Sequence, residues 1–173
     1  MQEGPVLLVG HSWGGAIITD AGNEPQGRGL VDIAAAAPDS AQSFNDWWTG
    51  YPAAPGAPEI RPYGKDRFVL TLDGFRRFFA HGLATDEIEL LYRTQGPYAA
   101  AANNERISYA AWRDNSSWFI MGEQDYMLTI VLERDTAVRI GATKLVLKSS
   151  HVPMMSHPGA AADFIEKAVN ELR

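Results

Sequence analysis

The stretch Pro5-Val6-Leu7-Leu8-Val9-Gly10-His11-Ser12-Trp13-Gly14-Gly15 decides the fold. Residues 6–9 are continuously apolar and stop at a glycine, the pattern of a strand covered on both faces and so of a parallel sheet flanked by helices. Residues 14–21 then read as a short helix closed by Gly22-Asn23. Between the two lies Gly10-His11-Ser12-Trp13-Gly14, a Gly-x-Ser-x-Gly motif placed directly after a buried strand and directly before a helix. Gly10 and Gly14 remove Cβ atoms from a tight strand-to-helix turn, so that Ser12 takes a strained conformation with Oγ above the sheet. Ser12 is therefore a candidate nucleophile. The N–H of Trp13, at the positive end of the helix, is a candidate donor to a developing oxyanion. The alternative is a glycine-rich turn without chemistry, but chance matches seldom fall at this junction.

Working outward, residues 30–37 read as a second buried strand ending before Pro38-Asp39, which completes a strand-helix-strand unit. From residue 40 to about 62 the composition shifts to Pro, Gly, Ala and Trp, and no period survives. Amphipathic pieces follow at 72–83, with Phe75, Phe78 and Phe79, and at 86–94, with Ile88, Leu91 and Tyr92. A further helical segment is expected around 99–112. Strands at 118–121 and 144–147, a helix at 130–140 and a terminal helix at 160–172 resume the α/β pattern. The chain thus divides into a core part at 1–39, a helical insertion or lid at 40–115 and a second core part at 116–173.

Composition bounds what the chain does. At 173 residues and 46% hydrophobic it holds one domain with a sizeable core. Fifteen Lys and Arg against 21 Asp and Glu leave a net charge of −6. That balance argues against nucleic acid or a membrane as partner, since both demand a basic face. Without Cys there is no disulfide, thiolate nucleophile or Cys-ligated metal. Met1-Gln2-Glu3-Gly4 lacks a basic leader, and the apolar run at 6–9 is too short for a signal peptide or span, so a cytoplasmic protein is expected.

At its Gly-x-Ser-x-Gly motif the sequence resembles the α/β-hydrolase superfamily, whose triad follows the chain order Ser, Asp or Glu, His. The resemblance implies His151 as base: Ser150-His151 falls after the strand at 144–147 and before the last helix, and His151 through Pro158 looks like the family's His loop. It implies Asp125 as the acid, because Gly122-Glu123-Gln124-Asp125 is similar to the family's Gly-x-x-Asp strand end. Glu123 and His157 are the competitors for these two roles. His11 reads as an elbow residue beside the substrate and His81 as a histidine of the lid. His151 and His157 lack both the spacing and the third ligand of a metal site, so no metal is expected. No cofactor is implied either. Trp47, Trp48, Phe75, Phe78, Phe79 and Trp112 are aromatics of the lid region that read as its core, with one or two expected to line the substrate pocket; Trp47, Trp48, Phe78 and Trp112 are the candidates.

Blocks such as Trp112-Arg113, Gln124-Asp125, Ser149-Ser150-His151 and Ser156-His157-Pro158 look most like small esterases similar to methyl ester carboxylesterases and hydroxynitrile lyases. The implied activity is hydrolysis of a small, apolar carboxylic ester. Ser at position 12 departs from the Asp nucleophile of dehalogenase-like and epoxide-hydrolase-like relatives. The resemblance also implies a partial fold, corresponding to family strands five to eight in a sheet of about four. The family's second oxyanion donor comes from a loop after its third strand, which this sequence lacks. Residues 6–9 would form an open, uncharged edge, with a homodimer through that strand as the expectation. A catalytically inactive half-domain and a small-molecule binder are the alternatives.

Overall fold

The computed structural model describes residues 4–172. The reading of Met1 to Glu3 as free of a leader lies outside the described residues. Val6–His11 forms β1, Gly14–Ala21 the helix α1 and Gly27–Ile33 the strand β2. The second strand ends four residues before the expected Ala37. Ala34 takes φ 43° and diverts the chain, and the fully buried residues 34–37 run on without a ladder partner. Gly22 follows α1 in right-handed geometry, with φ −65°. What requires glycine there is space, since a Cβ would lie 2.8 Å from Leu30 Cδ2 and from the Ala111 Cβ.

The insertion opens with Phe44–Trp48 (α2), which begins at a reciprocal cap. The Ser43 hydroxyl accepts the Asp46 N–H, and the Asp46 carboxylate accepts the Ser43 N–H. Ile60–Pro62 (β3) and Arg67–Leu70 (β4) then pair antiparallel, followed by the single turn Leu72–Gly74 (α3), Thr85–Thr94 (α4) and Tyr98–Ala99 (β5) on the free side of β4. The insertion is thus not purely helical, as expected, but carries a three-stranded antiparallel sheet. Strands of three, four and two residues are too short to show a period of two. The helix expected at 72–83 is also broken. After α3, residues 75–79 form one π turn closed by Ala80 N–H to Phe75 O at 2.9 Å.

Ser116–Gly122 (β6), Ile130–Arg139 (α5), Thr143–Leu147 (β7), Pro153–Ser156 (α6) and Pro158–Glu171 (α7) complete the chain. The four long strands form one parallel sheet in the order β1-β2-β6-β7. Alternation along the strands sorts their side chains onto two faces. Val31, Ile33, Trp118 and Ile120 meet Ala161, Phe164 and Ala168 of α7 on one face. On the other, Phe119 and Met121 meet Ala137 and Ile140 at α5, and Leu30 meets Ile18 of α1. Ala111, which the division at residue 115 assigns to the insertion, sits in this last cluster. β1 is an edge strand. Leu7 packs on the α7 face and Leu8 on the α1 face, so the strand is covered on both faces as its apolar run suggests, but only in part: its side chains are half-buried and Val9 is 45% exposed. Among the described residues no helix is long and apolar enough to cross a membrane.

Candidate active site

The elbow is built by close backbone approach. Ser12 has φ 55°, the left-handed region that costs a residue with a Cβ. Hydrogen bonds hold it there: its N–H donates to Ile33 O at 3.1 Å, and its carbonyl accepts from Gly15 at 3.1 Å and Ala36 at 3.0 Å. A Cβ on Gly10 would stand 2.6 Å from Gly14 O, so glycine is required there. Gly14 has open space around it, and the second obligatory glycine is Gly15, where a Cβ would fall 2.2 Å from Ala36 O. The Trp13 N–H stands next to Ser12 at the start of α1 and takes no hydrogen-bond acceptor among the described residues.

Ser12, His151 and Asp125 come together. Ser12 Oγ lies 2.8 Å from His151 Nε2, and His151 Nδ1 lies 2.6 Å from Asp125 Oδ2. A carboxylate accepts, so Nδ1 carries the proton and Nε2 is left to accept from the Ser12 hydroxyl. Asp125 Oδ1 is occupied by the N–H groups of Met127 at 2.7 Å and Leu128 at 2.9 Å. Burial alone would raise the Asp125 carboxyl, but the imidazole of His151 beside it and the hydrogen bonds from His151 and Leu128 hold it below the usual carboxylate range. The loops carrying acid and base are tied to each other through Glu123 N–H to Leu147 O and Gln124 N–H to Ser149 O. A Cβ on Gly122 would stand 2.4 Å from Ser150 O, one residue before the imidazole.

The competitors lie elsewhere. Glu123 points to solvent. His157 accepts or donates at Ser156 Oγ, 2.9 Å away, between α6 and α7. His81 of the insertion stacks on Tyr126 with ring centroids 5.0 Å apart. His11 Nε2 donates to the His151 carbonyl at 2.8 Å. Burial, followed by the nearby His151, lowers its pKa to about 4, so it is neutral at pH 7 and buttresses the base loop rather than lining the cleft.

A cleft of about 440 Å³ opens above Ser12 and His151. Of the aromatics expected to line it, Trp48 does. Trp47, its neighbour on α2, faces inward, 3% exposed, with its indole N–H on Thr136 Oγ1 at 3.1 Å. Trp112 donates to Pro38 O at 2.9 Å and packs beside Phe119 and Met121. Phe78 turns to Tyr126. In its place the π turn delivers Phe79, whose ring stands edge-on to His151 at 5.0 Å. The sequence does not point to Phe44, Ile60, Phe68, Tyr98, Met127 and Leu128 of the cleft wall. Burial raises the Tyr98 hydroxyl, which donates to Asn103 Oδ1. Asp32, buried beneath the elbow, was likewise missed, and burial pushes its carboxyl well above the usual range. No His, Asp and Glu side chains cluster as a metal site among the described residues.

A parallel sheet, a serine at a strained strand-to-helix turn, an acid after β6 and a histidine after β7 define the class. The chain belongs to the Alpha/beta hydrolase family, whose profile it matches over residues 2–164. Among solved structures it is similar to a pyrethroid hydrolase from Sphingobium faniae JZ-2, with TM-score 0.79 and 20% identity over 96% of this chain and 71% of that one. It is also similar to polyneuridine aldehyde esterase, with TM-score 0.77 and 18% identity over 97% and 73% of the two chains. A methylesterase protein from Arabidopsis gives TM-score 0.77 and 18% identity over 99% and 72%. A search of curated proteins found no match.

Proposed function

We propose that the protein hydrolyses a small, apolar carboxylic ester, with Ser12 as nucleophile, His151 as general base and acid, and Asp125 as the group that orients the imidazole. The observation that carries this reading is the unbroken relay from Ser12 Oγ through His151 to Asp125 Oδ2, at 2.8 and 2.6 Å, on the floor of an apolar cleft. Ser12 Oγ adds to the ester carbonyl while its proton passes to His151 Nε2, and the Trp13 N–H donates to the oxygen that becomes negative. Collapse breaks the bond to the alcohol, which departs with the proton from Nε2. Water then attacks the acyl-serine, again losing a proton to Nε2, and the acid leaves as Ser12 Oγ takes the proton back.

The names of the structural neighbours, a pyrethroid hydrolase, polyneuridine aldehyde esterase and a methylesterase, agree with ester chemistry. The cleft volume falls within the roughly 300 to 1,000 Å³ of small-molecule sites. Phe68, Phe79, Met127 and Leu128 favour an acyl or alcohol group without charge. A panel of p-nitrophenyl esters tests the reading. Butyrate is expected to be turned over with a kcat/KM about tenfold or more above an ester bearing an acyl-chain carboxylate, since burying an unpaired charge costs more than that. Equal rates, or none on any ester, would contradict it.

A second proposal concerns β1. Among the described residues its outer edge has no partner strand, and it carries no charge or proline to discourage pairing. We propose that a second copy of the chain pairs there, whether or not the site is active. Light scattering after size-exclusion chromatography is expected to give a dimer that Val9→Lys converts to a monomer. A wild-type monomer would refute it.

A further inference from the structure

Behind the acid of the relay lies a second carboxyl. Glu133, in the first turn of α5, is fully buried. Its Oε2 accepts the Gly122 N–H at 3.1 Å, while Oε1, equally closed to water, has no partner when the group is written as a carboxylate. It adjoins Asp125, whose N–H bonds the carbonyl of the same Gly122 at 3.0 Å and whose carboxylate acts on it. Two carboxylates are both acceptors, so a hydrogen bond between them requires a proton on one of them. Asp125 is the one that stays ionised, because His151 Nδ1–H and the Met127 and Leu128 N–H groups all donate to it.

We propose that Glu133 is a neutral carboxylic acid whose hydroxyl donates to the Asp125 carboxylate, which makes it a positioning residue for the acid of the triad. This rests on reading Ser12, His151 and Asp125 as a triad. The surroundings agree. The start of α5 favours a negative charge, but burial, and then the charge of Asp125, push the Glu133 carboxyl well above the usual range. No cation offsets them among the described residues. Arg134, Asp135 and Arg139 lie on the exposed side of α5, with Asp135 taken by the Tyr51 hydroxyl and Arg139 by Ala37 O. The facing strand β6 brings only the Gly122 N–H, and α2 packs against α5 through Trp47 and Thr136, which are uncharged. His151 reaches this region through Asp125 alone. A donor on Asp125 fixes the direction of its carboxylate plane and makes it less basic, so the imidazole gives up its proton more readily.

Two substitutions and two readouts test the proposal. Glu133→Gln preserves both contacts, the amide oxygen taking the Gly122 N–H and the NH₂ replacing the hydroxyl. Glu133→Ala removes both. The Ala variant is expected to react with a fluorophosphonate about tenfold or more slowly, as loss of a hydrogen bond to a charged group implies. The acid limb of its rate profile should move to higher pH, because a more basic Asp125 keeps the imidazole protonated. The Gln variant should rescue both rate and profile, and failure to rescue would overturn the proposal.

The second readout is independent of activity. A carboxyl raised by folding contributes stability that is complete below its unfolded value, near 4.5, and is lost as pH rises toward the folded value. Thermal unfolding of wild type and Glu133→Gln between pH 5 and 8 should therefore diverge. The wild-type folding constant should fall by up to about tenfold per pH unit relative to the variant. A difference that stays flat over this range would mean an ionised Glu133 and end the proposal. If neither protein labels at Ser12 but the curves diverge, the triad reading fails while the neutral Glu133 stands.

Discussion

Ser12→Ala is expected to lower kcat for a p-nitrophenyl ester by on the order of 10⁶, the loss seen when a serine nucleophile is removed from a triad that acts as a unit. The geometry explains why so much depends on one oxygen. His151 Nε2 has its proton source in Ser12 Oγ at 2.8 Å, and without it the base accepts from water with no covalent step to split the barrier. The elbow itself should survive, because the bonds holding Ser12 at φ 55° are made by its backbone. Circular dichroism and melting temperature of the variant should therefore stay close to wild type. Steady-state kinetics give the loss, and a variant keeping more than about a hundredth of the activity would place the nucleophile elsewhere.

Asp125→Asn is the second large effect, with an expected loss of on the order of 10⁴ in kcat. Here the orientation of the new amide is forced. Oδ1 of Asp125 accepts from both Met127 and Leu128 N–H, at 2.7 and 2.9 Å, so the amide must keep its carbonyl oxygen in that place. Its NH₂ then faces His151 Nδ1, where Oδ2 stood at 2.6 Å. A donor facing Nδ1 moves the ring proton to Nε2, and Nε2–H cannot accept from Ser12. The variant is folded but holds the wrong tautomer. Nitrogen-15 chemical shifts of the His151 ring would show the exchange of protonated nitrogens, while an Nδ1–H signal retained in the variant would contradict this explanation.

How much of this was readable beforehand follows from what kind of signal each part leaves. The helix at 14–21 was read at the residues it occupies, Gly14–Ala21, because an apolar run, a motif and a helix occur in immediate succession. Ser12 is named from its motif, while Asp125 and His151 follow from the resemblance, which ties acid and base to particular strand ends. The insertion was harder. Its three strands hold only nine residues in total, three, four and two, below the length at which alternation differs from chance. Choosing among aromatics requires the rotational phase of each helix. Trp47 and Trp48 are adjacent, yet one bonds Thr136 and the other faces the cleft. At residues 75–79 the π turn shifts that phase, so Phe79 and not Phe78 reaches His151.

The errors at the elbow were of another kind. The motif draws attention to Gly14, but the tight approach is at Gly15, against Ala36 O. That contact joins residues 21 positions apart, so no local pattern announces it. Glu133 left no trace for the same reason. Its partner Gly122, and its place beside Asp125, are set by how β6 meets α5.

The most direct test of the reading as a whole is reaction of the intact protein with a fluorophosphonate, followed by digestion and mass mapping of the labelled peptide. A single adduct on Ser12, absent from Ser12→Ala and strongly slowed in Asp125→Asn, is the predicted result. Labelling that persists in Ser12→Ala, or that falls on another serine, would contradict it.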